Sequence, residues 1–208
     1  MKKLGMIDYG RGNLRSVINA CQSLDFDPIL VTKPEELSGV SHLIFPGQGA
    51  FGDCMERLDQ LGLIEPLRDW IAADNPYFGI CVGYQLLFET SEESKETKGL
   101  GVVKGHVRRF RSSELKVPHM GWNSLDLKKP HSPYWSNLES TPYYYFVHSY
   151  YPQDVDEQIV AATCTYGAET FCAAIERGNL LATQFHPEKS QEAGLTLLRN
   201  FLQWDGQE

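Results

Sequence analysis

The chain has 208 residues, 42% of them hydrophobic and 22% charged, which describes a globular protein with enough chain for a sizeable core. Its formal charge of −8, from 19 basic and 27 acidic residues, excludes a general binder of nucleic-acid backbone, although Lys104, Arg108, Arg109 and Arg111 make a small basic patch. Five cysteines without zinc-type spacing predict reduced thiols in a cytoplasmic setting, and neither a membrane-length apolar run nor an export signal is expected after Met1-Lys2-Lys3.

In chain order, Leu4–Asp8 reads as a buried strand closed by the turn Tyr9-Gly-Arg-Gly12. Asn13 is placed to N-cap a helix whose Leu14, Val17, Ile18, Cys21 and Leu24 share one apolar face. Pro28–Thr32 is a second strand and Lys33–Leu37 a short helical turn. Ser41–Phe45 is a third strand that runs into Pro46-Gly-Gln-Gly-Ala-Phe51. A helical stretch covers Asp53–Trp70, broken near Gly62, with a second part near Asp69–Ala73. Pro76–Ile80 is a short buried strand, and Tyr84–Phe88 opens another helix. Strands alternating with helices predict a mostly parallel, doubly wound sheet.

From about residue 100 the rhythm changes. Val102–Phe110, Ser124–Leu127, Tyr143–Tyr150, Ile159–Tyr166, Thr170–Arg177 and Leu180–Phe185 all read as strands, with turn signals such as Arg177-Gly-Asn179 between them. They predict an antiparallel flap added to the same sheet or continuing it. A closing helix over Gln191–Trp204 carries Leu195, Leu198, Phe201 and Leu202 in one stripe. With no repeat, low-complexity segment or linker, residues 1–208 read as one α/β domain.

The chemistry centres on Gly79-Ile-Cys81-Val-Gly83, a G-x-C-x-G between a strand and a helix, the thiol counterpart of a nucleophile elbow. Such a turn strains its central residue and would expose the sulfur at a helix N-terminus, where thiolate is favoured. Alone, the pattern serves a buried structural cysteine equally well. A thiolate needs a histidine, and Gln184-Phe-His186-Pro-Glu188 supplies one at a strand end with a carboxylate two residues on to set its tautomer. The alternative is a histidine at a solvated turn. Pro46-Gly-Gln-Gly49 follows a separate strand, so an amide within Gly47–Gly49 and the amide of Val82 are candidate oxyanion donors. A plain connecting turn is the alternative there too.

Together the Gly-rich loop, the G-x-C-x-G-x-Q and the late H-P-E resemble the class I (triad) glutamine amidotransferases. Asp8–Asn13, Pro118-His-Met-Gly-Trp-Asn123, Tyr145–Tyr150 and His186–Ser190 look like the glutaminase subunits of imidazole glycerol phosphate synthases, and the resemblance runs from residue 4 to residue 203. It implies a type 1 glutamine amidotransferase domain with Cys81 as nucleophile on the glutamine carboxamide, His186 as proton shuttle and Glu188 as its orienting group. It further implies substrate contacts from Gln85, from Glu93 to the amino group, and from the main chain of His148, Ser149 and Tyr150. No metal or other cofactor is implied. The partner implied is a (β/α)8-barrel cyclase subunit that receives ammonia in histidine biosynthesis, through a face including Asn13, Met120, Trp122, Tyr145 and Lys189.

From the residues alone, Met120 and Trp122 serve either an interface or the core of the flap. Two positions depart from the pattern: Gln48, where a small apolar residue is usual and which is expected to hold the oxyanion loop in one state, and Tyr84, where methionine is usual. The remaining Cys21, Cys54, Cys164 and Cys172 read as packing residues. Two other readings stay open: a glutaminase serving a synthase of the pyridoxal phosphate type, and a non-catalytic regulatory subunit on the same fold.

Overall fold

A computed structural model describes residues 2–10, 14–111 and 116–206. The N-terminal half alternates as expected: β1 (Leu4–Ile7), α1 (Leu14–Gln22), β2 (Ile29–Val31), β3 (His42–Gly47), α2 (Phe51–Gln60), α3 (Ile64–Ala72), β4 (Tyr77–Cys81) and α4 (Val82–Gln85). The chain continues as β5 (Thr90–Ser91), β6 (His106–Arg109), β7 (His119–Ser124), β8 (Asp126–Leu127), β9 (Tyr143–His148), β10 (Tyr150–Gln153), β11 (Val160–Tyr166), β12 (Glu169–Arg177), β13 (Leu180–Thr183) and α5 (Gln191–Gln203).

Eight strands form the main sheet in the order β2-β1-β3-β4-β13-β12-β11-β8. The first five run parallel and the last three antiparallel, so the flap continues the parallel sheet beyond β13. β3, β4 and β13 are fully buried along their length, as strands covered on both faces must be. A three-stranded sheet (β10-β6-β5) and the β7–β9 ribbon lie outside it. The consequence for function is topological. Parallel neighbours β3, β4 and β13 bring the Gly-rich loop, Cys81 and the His186 segment to one edge, the carboxyl edge of the sheet.

Several expected boundaries move. The helical turn expected at Lys33–Leu37 is a 3-10 helix over Pro34–Gly39. The break expected near Gly62 is present, separating α2 from α3 at Leu61–Leu63, while the first of the two helices begins at Phe51 instead of Asp53. The strand expected over Tyr143–Tyr150 is broken at Ser149 into β9 and β10, which belong to different sheets. The strand expected from Val102 begins only at His106, and β7 covers His119–Asn123, where no strand was expected, before ending at Ser124. On α5 the fully buried stripe is Leu197, Leu198, Phe201 and Leu202, with Leu195 half-buried beside it. Asn13 and its expected cap lie outside the described residues.

Candidate active site

Cys81 ends β4 with φ 53° and ψ −105°, a conformation that a residue bearing a Cβ rarely adopts. The turn is possible because the next glycine has no side chain. A Cβ on Gly83 would sit 2.1 Å from the carbonyl oxygen of Phe45, and one on Gly79 would sit 2.8 Å from the Gly83 carbonyl. The elbow is therefore wedged against β3. Two expectations are corrected here. The helix after the elbow is a single turn, Val82–Gln85, because the carbonyls of Leu86, Leu87 and Phe88 accept amides of the Leu100–Val103 segment in place of a continuing helical ladder. Its four residues carry little macrodipole. The sulfur is also less open than expected: Cys81 is 5% exposed and lines a cavity.

His186 stands just past the end of β13 and is buried. Its Nδ1 lies 2.8 Å from Glu188 Oε1, both side chains being 2% exposed. Pro187 opens a 3-10 turn that folds Glu188 back onto the ring, and Ser190 Oγ donates to the His186 carbonyl at 2.6 Å to fix the segment. Burial works against an imidazolium here, but the Cys81 sulfur and the Glu188 carboxylate outweigh it, and the His186 pKa is raised. Glu188 occupies Nδ1, which leaves Nε2 as the ring nitrogen available to the Cys81 sulfur.

The Gly-rich loop expected to supply oxyanion donors is placed by sheet register. Gly47 pairs directly across from Cys81 and lies under the elbow, where its Cβ would meet Gly83 N at 2.3 Å. Gly49 and Val82 are on the cavity wall. The hold expected of Gln48 resides in its main chain. Its amide donates to the Tyr9 hydroxyl at 3.1 Å, and that hydroxyl donates to the Gln48 carbonyl at 3.0 Å. Cys54 lies beneath the same loop, its Sγ 3.9 Å from the Gln48 carbonyl.

The cavity, about 450 Å³, joins Cys81 and His186 to the residues expected to hold substrate: Gln85, Glu93 and His148–Tyr150. Gln85 Nε2 donates to the Tyr150 carbonyl at 2.9 Å and to Gln184 Oε1 at 3.1 Å. Gln184, which sequence reasoning passed over, is completely buried and turns its Nε2 toward Cys81 Sγ at 3.9 Å. A lone amide inside an apolar strand gives no periodic signal, and only its place beside H-P-E marks it. Glu93 Oε2 accepts the amide of Phe51 at 2.7 Å, so this carboxylate also caps α2. Tyr84 is completely buried and donates to the carbonyl of Cys172 at 3.3 Å. All five cysteines are buried, and burial pushes Cys21, Cys164 and Cys172 up to about 12.

Met120 and Trp122 are 60% and 46% exposed, which corrects the alternative that they form the core of the flap. Trp122 pairs with Tyr145 across the β7–β9 ribbon, ring edge to face at 6.2 Å, and Lys189 Nζ lies 6.0 Å from the Tyr145 ring centre. These four residues therefore share one face, and Lys189 also borders the cavity. Among the described residues no helix is long and apolar enough to cross a membrane.

Comparison with known proteins places the chain in a family. Residues 5–204 match the family described as glutamine amidotransferase class-I. The chain is 48% identical over 207 residues to the imidazole glycerol phosphate synthase subunit HisH of Geobacter sulfurreducens, covering 97% of this chain and 98% of that one. It is 45% identical over 203 residues to the HisH subunit of a Cyanothece species, covering 97% and 96%. A crystal structure of a glutamine amidotransferase superposes with a TM-score of 0.75 at 23% identity, covering 96% of both chains, which speaks for the fold. The chain thus belongs to the class I glutamine amidotransferase family, among the HisH subunits of imidazole glycerol phosphate synthase.

Proposed function

We propose that Cys81, His186 and Glu188 are the catalytic triad of a glutaminase that supplies ammonia to a (β/α)8-barrel cyclase subunit in histidine biosynthesis. Cys81 Sγ attacks the side-chain carboxamide carbon of glutamine, and its negative charge passes to the carbonyl oxygen. Donors from the Val82 amide and from the Gly47–Gly49 loop hold that oxygen. His186, kept in one tautomer by Glu188, gives its Nε2 proton to the leaving nitrogen, which departs as ammonia and leaves a γ-glutamyl thioester. Water then attacks the thioester carbon. His186 takes the proton, glutamate leaves and the thiolate is restored.

Glu93 suits the substrate ammonium, and the main chain of His148–Tyr150 suits its carboxylate. The single observation that carries this reading is the convergence of Cys81, His186 and the Gly-rich loop at the ends of three neighbouring parallel strands, around one cavity with Glu93 on its wall. The exposed Met120–Trp122–Tyr145–Lys189 face beside that cavity is where the barrel subunit would dock, burying aromatic surface of the kind that dominates interfaces. An odd number of cysteines without paired spacing fits a reducing cytoplasm.

The test is glutamate release from glutamine by the chain alone, with the barrel synthase, and with the synthase plus its nucleotide substrate. Strong stimulation in the full mixture, lost in Cys81→Ala, supports the reading. Stimulation by a different synthase would move the chain to another pathway, and silence in every mixture would leave a regulatory subunit.

A further inference from the structure

Two buried histidines outside the triad stand in series under the segment proposed to hold substrate. His119 Nδ1 lies 3.1 Å from His148 Nε2. Partners at the two ends settle which nitrogen carries each proton. Asn123 is oriented by its Oδ1, which accepts the Ser124 amide at 2.9 Å, and by its Nδ2, which donates to the Thr165 carbonyl at 2.9 Å. Its NH2 group is therefore what faces His119 Nε2, at 3.4 Å. At the other end the Tyr150 carbonyl, an acceptor only, lies 2.8 Å from His148 Nδ1. His148 must carry its proton on Nδ1, which leaves Nε2 to accept, and His119 must donate from its own Nδ1.

The chain of donors thus runs one way, from Asn123 through His119 and His148 to the Tyr150 carbonyl. That carbonyl also receives Gln85 Nε2, whose amide leads through Gln184 to Cys81 Sγ. The His119 ring is clamped flat between Phe146 and Tyr166, with centroids 4.8 and 4.0 Å away and both planes tilted 22°. Burial holds both imidazoles neutral, pushing His119 down to about 4 and His148 to about 3. A charged His148 would oppose the imidazolium of His186, whose charge it senses.

We propose that His119 is a positioning residue for the substrate: by donating to His148 it fixes the tautomer that clips the Tyr150 carbonyl, and so shapes the Ser149–Tyr150 main chain around the amino acid's carboxylate. The inference rests on the proposed glutaminase reading of the cavity. It adds to that reading a side chain with no place on the cavity wall, acting from the strand that carries the exposed Met120 and Trp122.

The experiment compares His119→Asn with His119→Gln in the complex of the full chain with its synthase, reading KM and kcat for glutamine separately. Asparagine places an amide N–H where Nδ1–H was; glutamine places it near the Nε2 position, with similar polarity and bulk. His119→Gln should raise KM about tenfold, the loss expected for one buried neutral hydrogen bond, with kcat changed less than about threefold. His119→Asn should keep KM within about threefold of the unaltered chain. Nitrogen-15 spectra of the unaltered chain should show His148 protonated on Nδ1 and bare on Nε2.

Equal KM values in the two variants, a loss confined to kcat, or a His148 protonated on Nε2 would each overturn the inference while leaving the glutaminase reading intact. No glutamate release by the unaltered complex would sink that reading and the inference with it.

Discussion

Tyr9 and Gln48 exchange two hydrogen bonds at the carboxyl ends of neighbouring strands, the hydroxyl accepting the amide at 3.1 Å and donating to the carbonyl at 3.0 Å. β1 lies on the opposite side of β3 from β4, so the Gln48 N–H points away from Cys81. This amide is committed elsewhere in the described state, and an oxyanion hole that uses it must first release it from Tyr9.

Tyr9→Phe removes the hydroxyl while keeping the ring that packs edge-on against Phe45. Glutamate release without any partner should rise about tenfold, a fraction of what one oxyanion donor is worth. Stability should fall by about 1 kcal/mol for the lost pair of bonds. A partner-free rate that stays level or drops would mean that the Tyr9 hydroxyl supports the hole and does not restrain it.

Glu93 joins two tasks that substitution can separate. Its Oε2 caps α2 through the Phe51 amide while the carboxylate borders the cavity, and Ser94 Oγ accepts the next amide, that of Gly52, at 3.0 Å. Glu93→Gln keeps an oxygen for the cap but loses the charge. Its KM for glutamine should rise at least about tenfold, with stability within about 0.5 kcal/mol of the unaltered chain. Glu93→Ala should show the same KM defect and lose about 1 kcal/mol in urea unfolding as well. Equal stabilities for the two variants would argue that the cap contributes nothing.

What could be read from the sequence divides along physical lines. The parallel core was legible because strands buried on both faces are uninterrupted apolar runs, and the elbow because only glycine fits where Gly83 meets Phe45. The end of α4 was not legible, since Leu86, Leu87 and Phe88 are all completely buried and show no helical or strand periodicity. β7 was missed because Pro118, Gly121 and Asn123 read as a loop, although His119 points inward and Met120 outward as a strand requires. The break at Ser149 hides in an aromatic run that a continuous strand would explain as well. Gln184 and Tyr9 act through hydrogen bonds between distant segments, and no local pattern encodes those.

The wedge between the elbow and β3 predicts a steep cost for one added methyl group. In Gly83→Ala the new Cβ would press on the Phe45 carbonyl oxygen at 2.1 Å, and backbone on both sides limits relief. The loss should be about 3 kcal/mol, the upper part of the range for overpacking a core, with glutaminase activity abolished as Cys81 is displaced. Gly39→Ala, where an added Cβ meets nothing within 4 Å, is the matched control and should leave both unchanged. A Gly83→Ala chain that melts with the unaltered protein would show that the turn relaxes freely.

Acid should weaken the fold earlier than its carboxylates alone would. His119 and His148 are held neutral by burial, at about 4 and about 3, whereas both titrate near 6.5 when unfolded. Between those values the unfolded chain binds more protons than the native one, so stability falls as pH drops below 6.5, by about 1.4 kcal/mol per pH unit for each histidine. His186 has the opposite sign. Its native pKa is raised, so its contribution is fully present below 6.5 and is lost only as pH climbs through the raised value. It therefore cannot offset the acid loss, and the stability optimum should lie near neutrality. Urea midpoints measured at pH 7.0, 6.0 and 5.0 should decline progressively, and His119→Asn, which deletes one of the rings that burial holds neutral (His42 being lowered in the same way), should decline less steeply. Midpoints that hold level down to pH 5 would mean that both imidazoles are charged in the native protein, and a proton would then have to be found a place in the His119–His148 contact.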